Sequence, residues 1–182
     1  MREVVIGLLP RVVLLDVAGP AEAFRIANQY VRDSYLLRCV SPVRRLQSGI
    51  GLELGPLAPL PSRLATNAIV MIPGIASGGL DVKSAAARRL VAWLGKTIDA
   101  RVTLMCVCAG AVLAARAGLL AGRDCTTHHA HLDDLRRAEP TARVHDNRVF
   151  VEDDRIVTSA GITAGIDLAL HLISHDLGPR VA

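Results

Sequence analysis

The chain has 182 residues, 51% of them hydrophobic and 21% charged. That is enough apolar mass for one sizeable core and reads as a single domain spanning residues 1–182. The formal charge of +4 comes from dispersed arginines, with Lys83 and Lys96 the only lysines, and aromatics make up 3%, which excludes a concentrated basic face and the stacking platforms of single-strand nucleic-acid binders.

The N-terminal apolar stretch is broken by Pro10, Arg11 and Asp16, so it suits neither a signal-peptide core nor a membrane span; a cytoplasmic protein that does not engage a membrane is expected. Residues 3–9 form a short run rich in β-branched side chains, and Val17, Ala21, Phe24 and Ile26 then recur at helical spacing in a helix opening near Pro20. Further buried-strand runs are 34–41, 67–74, 100–107 and 154–161, read as interior parallel strands. Between them lie helical patterns at 83–98, 109–120, 130–138 and 162–176, the last with Gly178 as its stop. The glycine-punctuated segment from Arg44 to Pro61 suggests a small hairpin excursion. Alternation of this kind predicts a three-layer α/β/α sandwich with a mostly parallel central sheet and a site at the carboxyl ends of its strands. The stretch "GIASGG" at 74–79 does not match the dinucleotide fingerprint G-x-G-x-x-G, and no cofactor is expected.

Four cysteines, Cys39, Cys106, Cys108 and Cys125, lack disulfide-framework spacing and are expected as free thiols. Cys108 falls where the strand-like "VTLMCVC" becomes the helical "AGAVLAARAGLL", a changeover with the form of a nucleophile elbow. Open amides at the start of the following helix would favour a thiolate, lowering the thiol's pKa. A buried, inert cysteine fits the same spacing equally well. Cys106 would share a face with Cys108 if the strand persisted and reads as core. Asp16, from the residues alone, reads as a helix N-cap. His128, His129 and His131, and the pair His171 and His175 at i and i+4, read as structural or surface histidines, because no further spaced ligands accompany them; no metal is expected.

"LLDVAGPAEAF", "CAGAVLAARAGLLAGRDCTTHH" and "DNRVFVEDDRIVTSAGITAGIDLALHLI", in that order, resemble the ThiJ/PfpI superfamily with its class I glutamine amidotransferase-like, flavodoxin-like fold, from residue 4 to about 178. The resemblance implies that Cys108 is the elbow cysteine and Asp16 the acidic residue at the end of the first strand that reaches it. It makes His128 the histidine of the TTH motif, and Gly74 the loop glycine whose neighbouring amide faces the elbow. Asp16 beside a thiolate would hold its proton more tightly than usual. Ile75, Ala109 and Gly110 complete the implied ligand-binding set. Three departures bear on activity: Ala109 stands where protease-like members have histidine and isonitrile-hydratase-like members threonine, Ile75 replaces the second loop glycine, and His129 replaces the tryptophan after TTH. Protease activity is therefore not expected.

The tail from Ile162 to Ala182 resembles the end of the sensor domain that precedes the helix-turn-helix domain in AraC-type transcription regulators. The resemblance implies an effector-sensing, homodimeric domain that binds a small molecule or senses oxidation at Cys108, with DNA engaged only through a helix-turn-helix domain not contained in these residues. The rival reading is a stand-alone hydratase or lyase, isonitrile hydratase-like or glyoxalase-like, using Cys108 and Asp16.

Overall fold

The structure is a computed structural model and describes residues 1–76 and 82–182. The elements are, in chain order, β1 (Arg2–Gly7), α1 (Leu14–Tyr30), β2 (Tyr35–Val40), β3 (Leu46–Gln47), β4 (Glu53–Leu54), β5 (Ile69–Ile72), α2 (Ala85–Thr97), β6 (Thr103–Val107), α3 (Gly110–Arg116), β7 (Asp124–Cys125), α4 (Leu132–Ala138), β8 (Arg143–Val144), β9 (Phe150–Asp153), β10 (Ile156–Ser159) and α5 (Ala164–Leu177).

Six strands form the central sheet in the order β2-β1-β5-β6-β10-β9. All neighbours are parallel except β9, which runs antiparallel to β10. Strands with apolar residues on both faces need cover on both sides. Val5, Val70, Ile72, Leu104 and Cys106 pack with α2 and α3 residues such as Leu90, Leu94 and Val112. Val4, Ile6, Ile69, Met71, Met105 and Val107 pack on the opposite face with Phe24 of α1 and Leu168, Leu172 and Ile173 of α5. The result is the expected α/β/α sandwich, with its order of parallel strands reversing between β1 and β5; crevices form at the carboxyl ends of strands at such a reversal.

Several boundaries differ from the sequence reading. α1 starts at Leu14, well before Pro20, which lies inside the helix; proline lacks an N–H, so the Asp16 carbonyl simply goes without its partner from residue 20. Among the described residues, strand β2 is an edge rather than an interior strand, paired in this sheet with β1 alone, and Cys39 on it is exposed. The helix expected over 109–120 ends at Arg116, where Gly118 takes a left-handed φ of 75°. Strand β9 is an addition, its partly exposed, acidic sequence carrying no clean alternation. The predicted excursion is present as the antiparallel pair β3–β4, joined in register at Leu46 and Leu54, and α5 stops at Gly178 with φ 90°. Residues 77–79 of the stretch tested against the dinucleotide fingerprint lie outside the described residues.

Arg2 ties the two chain ends together. Its guanidinium donates to both oxygens of Asp176 at 2.6 and 2.7 Å and to Thr103 Oγ1 at 2.6 Å, and Tyr35 Oη donates to Asp176 Oδ2 at 2.7 Å. Among the described residues, no helix is long and apolar enough to cross a membrane.

Candidate functional site

Strand β6 runs out at Val107, and Cys108 turns the chain into α3 with φ 55°. That left-handed conformation is costly for a side chain bearing Cβ and is held only where its surroundings over-determine it. Here the Cys108 N–H donates to the carbonyls of Ser159 and Ala160 at 3.2 and 3.3 Å, while its own carbonyl accepts from Thr127 Oγ1 at 2.7 Å. The elbow is thus clamped from the end of β10 on one side and from the segment after β7 on the other. Because the strand does not persist, Cys106 and Cys108 do not share a face: Cys106 belongs to the core on the α2–α3 side, Cys108 to the core on the α1–α5 side.

Asp16 approaches from α1. It lies in the helix's first turn, with Val13 rather than Asp16 as N-cap, so it is neither the N-cap nor a residue at the end of β1. Its carboxyl is completely buried and accepts the Gly74 amide at 3.1 Å. The Ile162 amide and the Cys108 thiol also act on it, whereas Oδ1 has no hydrogen-bond partner among the described residues. Gly74 brings the pair together: a Cβ there would sit 2.6 Å from Asp16 Oδ2 and 3.0 Å from Cys108 Sγ, so no larger residue fits without displacing one of them.

Burial dominates the electrostatics. It raises the Asp16 carboxyl to about 6, against the opposing hydrogen bonds from Gly74 and Ile162. It also raises the Cys108 thiol to about 12, assisted by the neighbouring Asp16 charge and only partly opposed by the Ala109 amide. Of the two alternatives open for Cys108, this direction favours the buried, neutral thiol: α3 is a seven-residue helix, and the open amides at its start act against desolvation of a residue that is 7% exposed beside a carboxyl. Asp16 does hold its proton more tightly than usual, but burial is the leading cause.

His128 stands on the other side of the sulfur. Its ring is packed on Gly161, where a Cβ would lie 2.2 Å from His128 Cδ2 and 3.3 Å from Cys108 Sγ. Burial, then the neighbouring His129 and His131, lower its pKa, which keeps the imidazole neutral near pH 7. Nδ1 accepts the Ala130 amide at 3.2 Å, and the His129 ring lies 4.0 Å away. His131 is instead engaged by Asp134 at 2.9 Å.

A cavity of about 490 Å³ opens on this side, with His128, Gly161, Thr127, Thr163, Arg148 and Asp167 among its lining residues. Its size is that of a small-molecule site. Cys108 and Asp16 do not line it; the Cys108 sulfur lies behind Gly161. Gly74, Ile75, Ala109 and Gly110 do not line it either. Ile75 is buried and bridged to Val12, Ala109 is buried, and Gly110 is packed on the Ile72 carbonyl. Thr127, Gly161 and Ile162 escaped the sequence reading. Ile162, with φ 59°, is a β-branched residue in a left-handed conformation, and nothing in its local sequence announces it.

An acidic residue early in α1, a glycine after β5 and a cysteine elbow after β6 thus converge at the strand ends. Residues 2–175 match the DJ-1/PfpI family. The chain is 31% identical over 177 residues to the HTH-type transcriptional regulator GbdR of Pseudomonas aeruginosa, covering 96% of this chain but 47% of that protein. It is also 31% identical to an isonitrile hydratase of Pseudomonas putida, covering 96% of this chain and 72% of that one. A crystal structure of an AraC family transcriptional regulator from Pseudomonas putida superimposes with a TM-score of 0.85 at 20% identity, covering 100% of this chain and 95% of that one. The elbow, the fold and the sequence match over nearly the whole length lead to one conclusion: the chain belongs to the DJ-1/PfpI family.

Proposed function

We propose that these residues are the effector-sensing and dimerising part of an AraC-type transcription regulator, binding a small polar molecule in the cavity beside His128 and Gly161. DNA is then contacted only through a helix-turn-helix domain outside these residues. The carrying observation is the match of 96% of this chain to about half of a named transcriptional regulator. The cavity supports it: Asp167 and Arg148 offer both charge signs and Thr127 and Thr163 offer hydroxyls, the few polar groups that orient a ligand. Dimer formation is part of the proposal, and exposed Leu15, Ile26 and Tyr30 fall on one stripe of α1 that a second copy would cover. Oxidation sensing needs a thiolate. A thiol pushed up to about 12 disfavours it, so the proposal places sensing in the cavity rather than on the sulfur.

The hydratase reading is kept by one observation, the similarity to an isonitrile hydratase over 72% of that enzyme. On that reading Cys108 attacks the electrophilic carbon and Asp16 manages the proton. Two assays on the same preparation separate the readings: turnover of methylglyoxal and of an isonitrile by wild type and Cys108→Ala, and thermal shift against a panel of small polar metabolites. The sensor reading expects no Cys108-dependent turnover and at least one stabilising metabolite. Turnover abolished by Cys108→Ala would instead establish the enzyme.

A further inference from the structure

We propose that Glu152, His171 and His175 form a binding site for a divalent first-row transition-metal ion of the zinc, nickel or copper class, at the outer edge of the sheet. His171 and His175 are one helical turn apart on α5 and so stand on one face. That face is fixed in rotation because Leu168, Ala169, Leu172 and Ile173 are buried in the core. Glu152 comes from β9, whose pairing with β10 places it opposite Val157. Helix and strand are thus each held independently of the three side chains they present.

The ligand atoms converge. Glu152 Oε2 lies 2.6 Å from His171 Nε2 and Oε1 lies 3.9 Å from His175 Nδ1; one ligand atom from each residue falls within 4.8 Å of the other two. Zinc–nitrogen and zinc–oxygen bonds of about 2.0–2.2 Å require ligand atoms about 3.3–3.6 Å apart in tetrahedral geometry. The His171 separation is shorter than that range and the His175 separation, to the other carboxylate oxygen, is longer; small rotations of the exposed Glu152 and His175 side chains bring one oxygen and both ring nitrogens to it. Phe150 lies against the His171 imidazole with ring centroids 4.8 Å apart, holding the ring from one side. Water is free to complete the shell, because His175 and Glu152 are exposed. Two imidazoles and one carboxylate, with no thiolate, favour zinc, nickel or copper over magnesium or calcium. Asp167, one turn earlier on the same stripe of α5, lines the cavity, so a bound ion would pin α5 to the edge strand next to the proposed effector site.

The test uses the tag-free chain, all thiols retained, titrated calorimetrically with Zn²⁺ and spectroscopically with Co²⁺. The expected result is one ion per chain, a Co²⁺ spectrum without a thiolate charge-transfer band, and affinity reduced in both Glu152→Gln and His175→Gln. Each should lose about 100-fold or more, exceeding the roughly 10–100-fold cost of losing only an outer-shell partner. At a hundredfold excess of Zn²⁺ over its Kd, the wild-type Tm should rise by about 5–11 °C. Both substitutions sit at exposed side chains, so the variants should fold as the wild type does without metal. Absence of saturable binding would show the cluster to be a surface ion pair only, and binding unchanged in both variants would place the ion elsewhere; either result overturns the proposal.

Discussion

Replacing Asp16 by asparagine removes the charge while keeping an oxygen to accept the Gly74 amide, and the effect on stability should depend on pH in a defined way. The wild-type carboxyl titrates at about 6 in the folded chain against 3.8 for the free side chain. A folded-state pKa raised above the unfolded one favours folding fully below pH 3.8, and that contribution is lost as the pH rises through about 6. Each pKa unit is worth about 1.4 kcal/mol, so ionising Asp16 costs the folded state about 3 kcal/mol in total. Between about pH 4.5 and pH 7.5, linkage removes about 2 kcal/mol of this contribution from the wild type and none from Asp16→Asn. Urea unfolding of both proteins at about pH 4.5, 6.0 and 7.5 should therefore show the variant gaining about 2 kcal/mol on the wild type across the series. A difference that stays constant, or shrinks as the pH rises, would mean that the folded-state carboxyl titrates no higher than the free side chain, and would refute burial as the leading influence on it.

Two glycine substitutions test the packing around the elbow and should differ in kind. In Gly110→Ala the new Cβ would meet the Ile72 carbonyl oxygen at 2.0 Å, a backbone atom that no side-chain rotation can move aside. The cost should be at or above about 3 kcal/mol, lowering Tm by about 6–12 °C; loss of under about 1 kcal/mol in urea unfolding would contradict the close approach of α3 to β5. In Gly161→Ala the obstacle is the His128 ring, which can swing toward the cavity. That variant should lose only about 1 kcal/mol yet lose the stabilisation by any cavity ligand found for the wild type. Undiminished ligand stabilisation would remove His128 and Gly161 from the binding wall.

The fold was legible where periodicity and length agree. The apolar runs around β1, β5, β6 and β10 are short and rich enough in apolar residues to read as buried strands, and the Gly178 helix stop and the β3–β4 excursion are marked by glycines. The start of α1 was not legible, because Pro20 looks like a first-turn residue and nothing marks Val13 as a cap. Strand β9 was missed because its residues are half exposed and acidic, and its existence depends on β10 offering an edge. At the site, the Cys108 turn could be read from the changeover between strand and helix. The protonation state of the sulfur could not: the helix start argued for a thiolate, whereas burial and Asp16, both supplied by distant segments, drive it the other way. Glu152 likewise had no local signal. Only the fold places it beside His171 and His175.

We infer that the elbow thiol is kept neutral by burial beside Asp16 and that the ligand binds in the adjacent cavity while the sulfur stays unreactive. The most direct test is the alkylation rate of Cys108 by iodoacetamide, followed site by site by mass spectrometry from about pH 6 to pH 11. With the thiol pushed up to about 12 by burial and the neighbouring Asp16, the rate should climb throughout the range without a plateau. A plateau reached at or below about pH 8 would reveal a low-pKa thiolate and return Cys108 to the role of nucleophile or redox sensor.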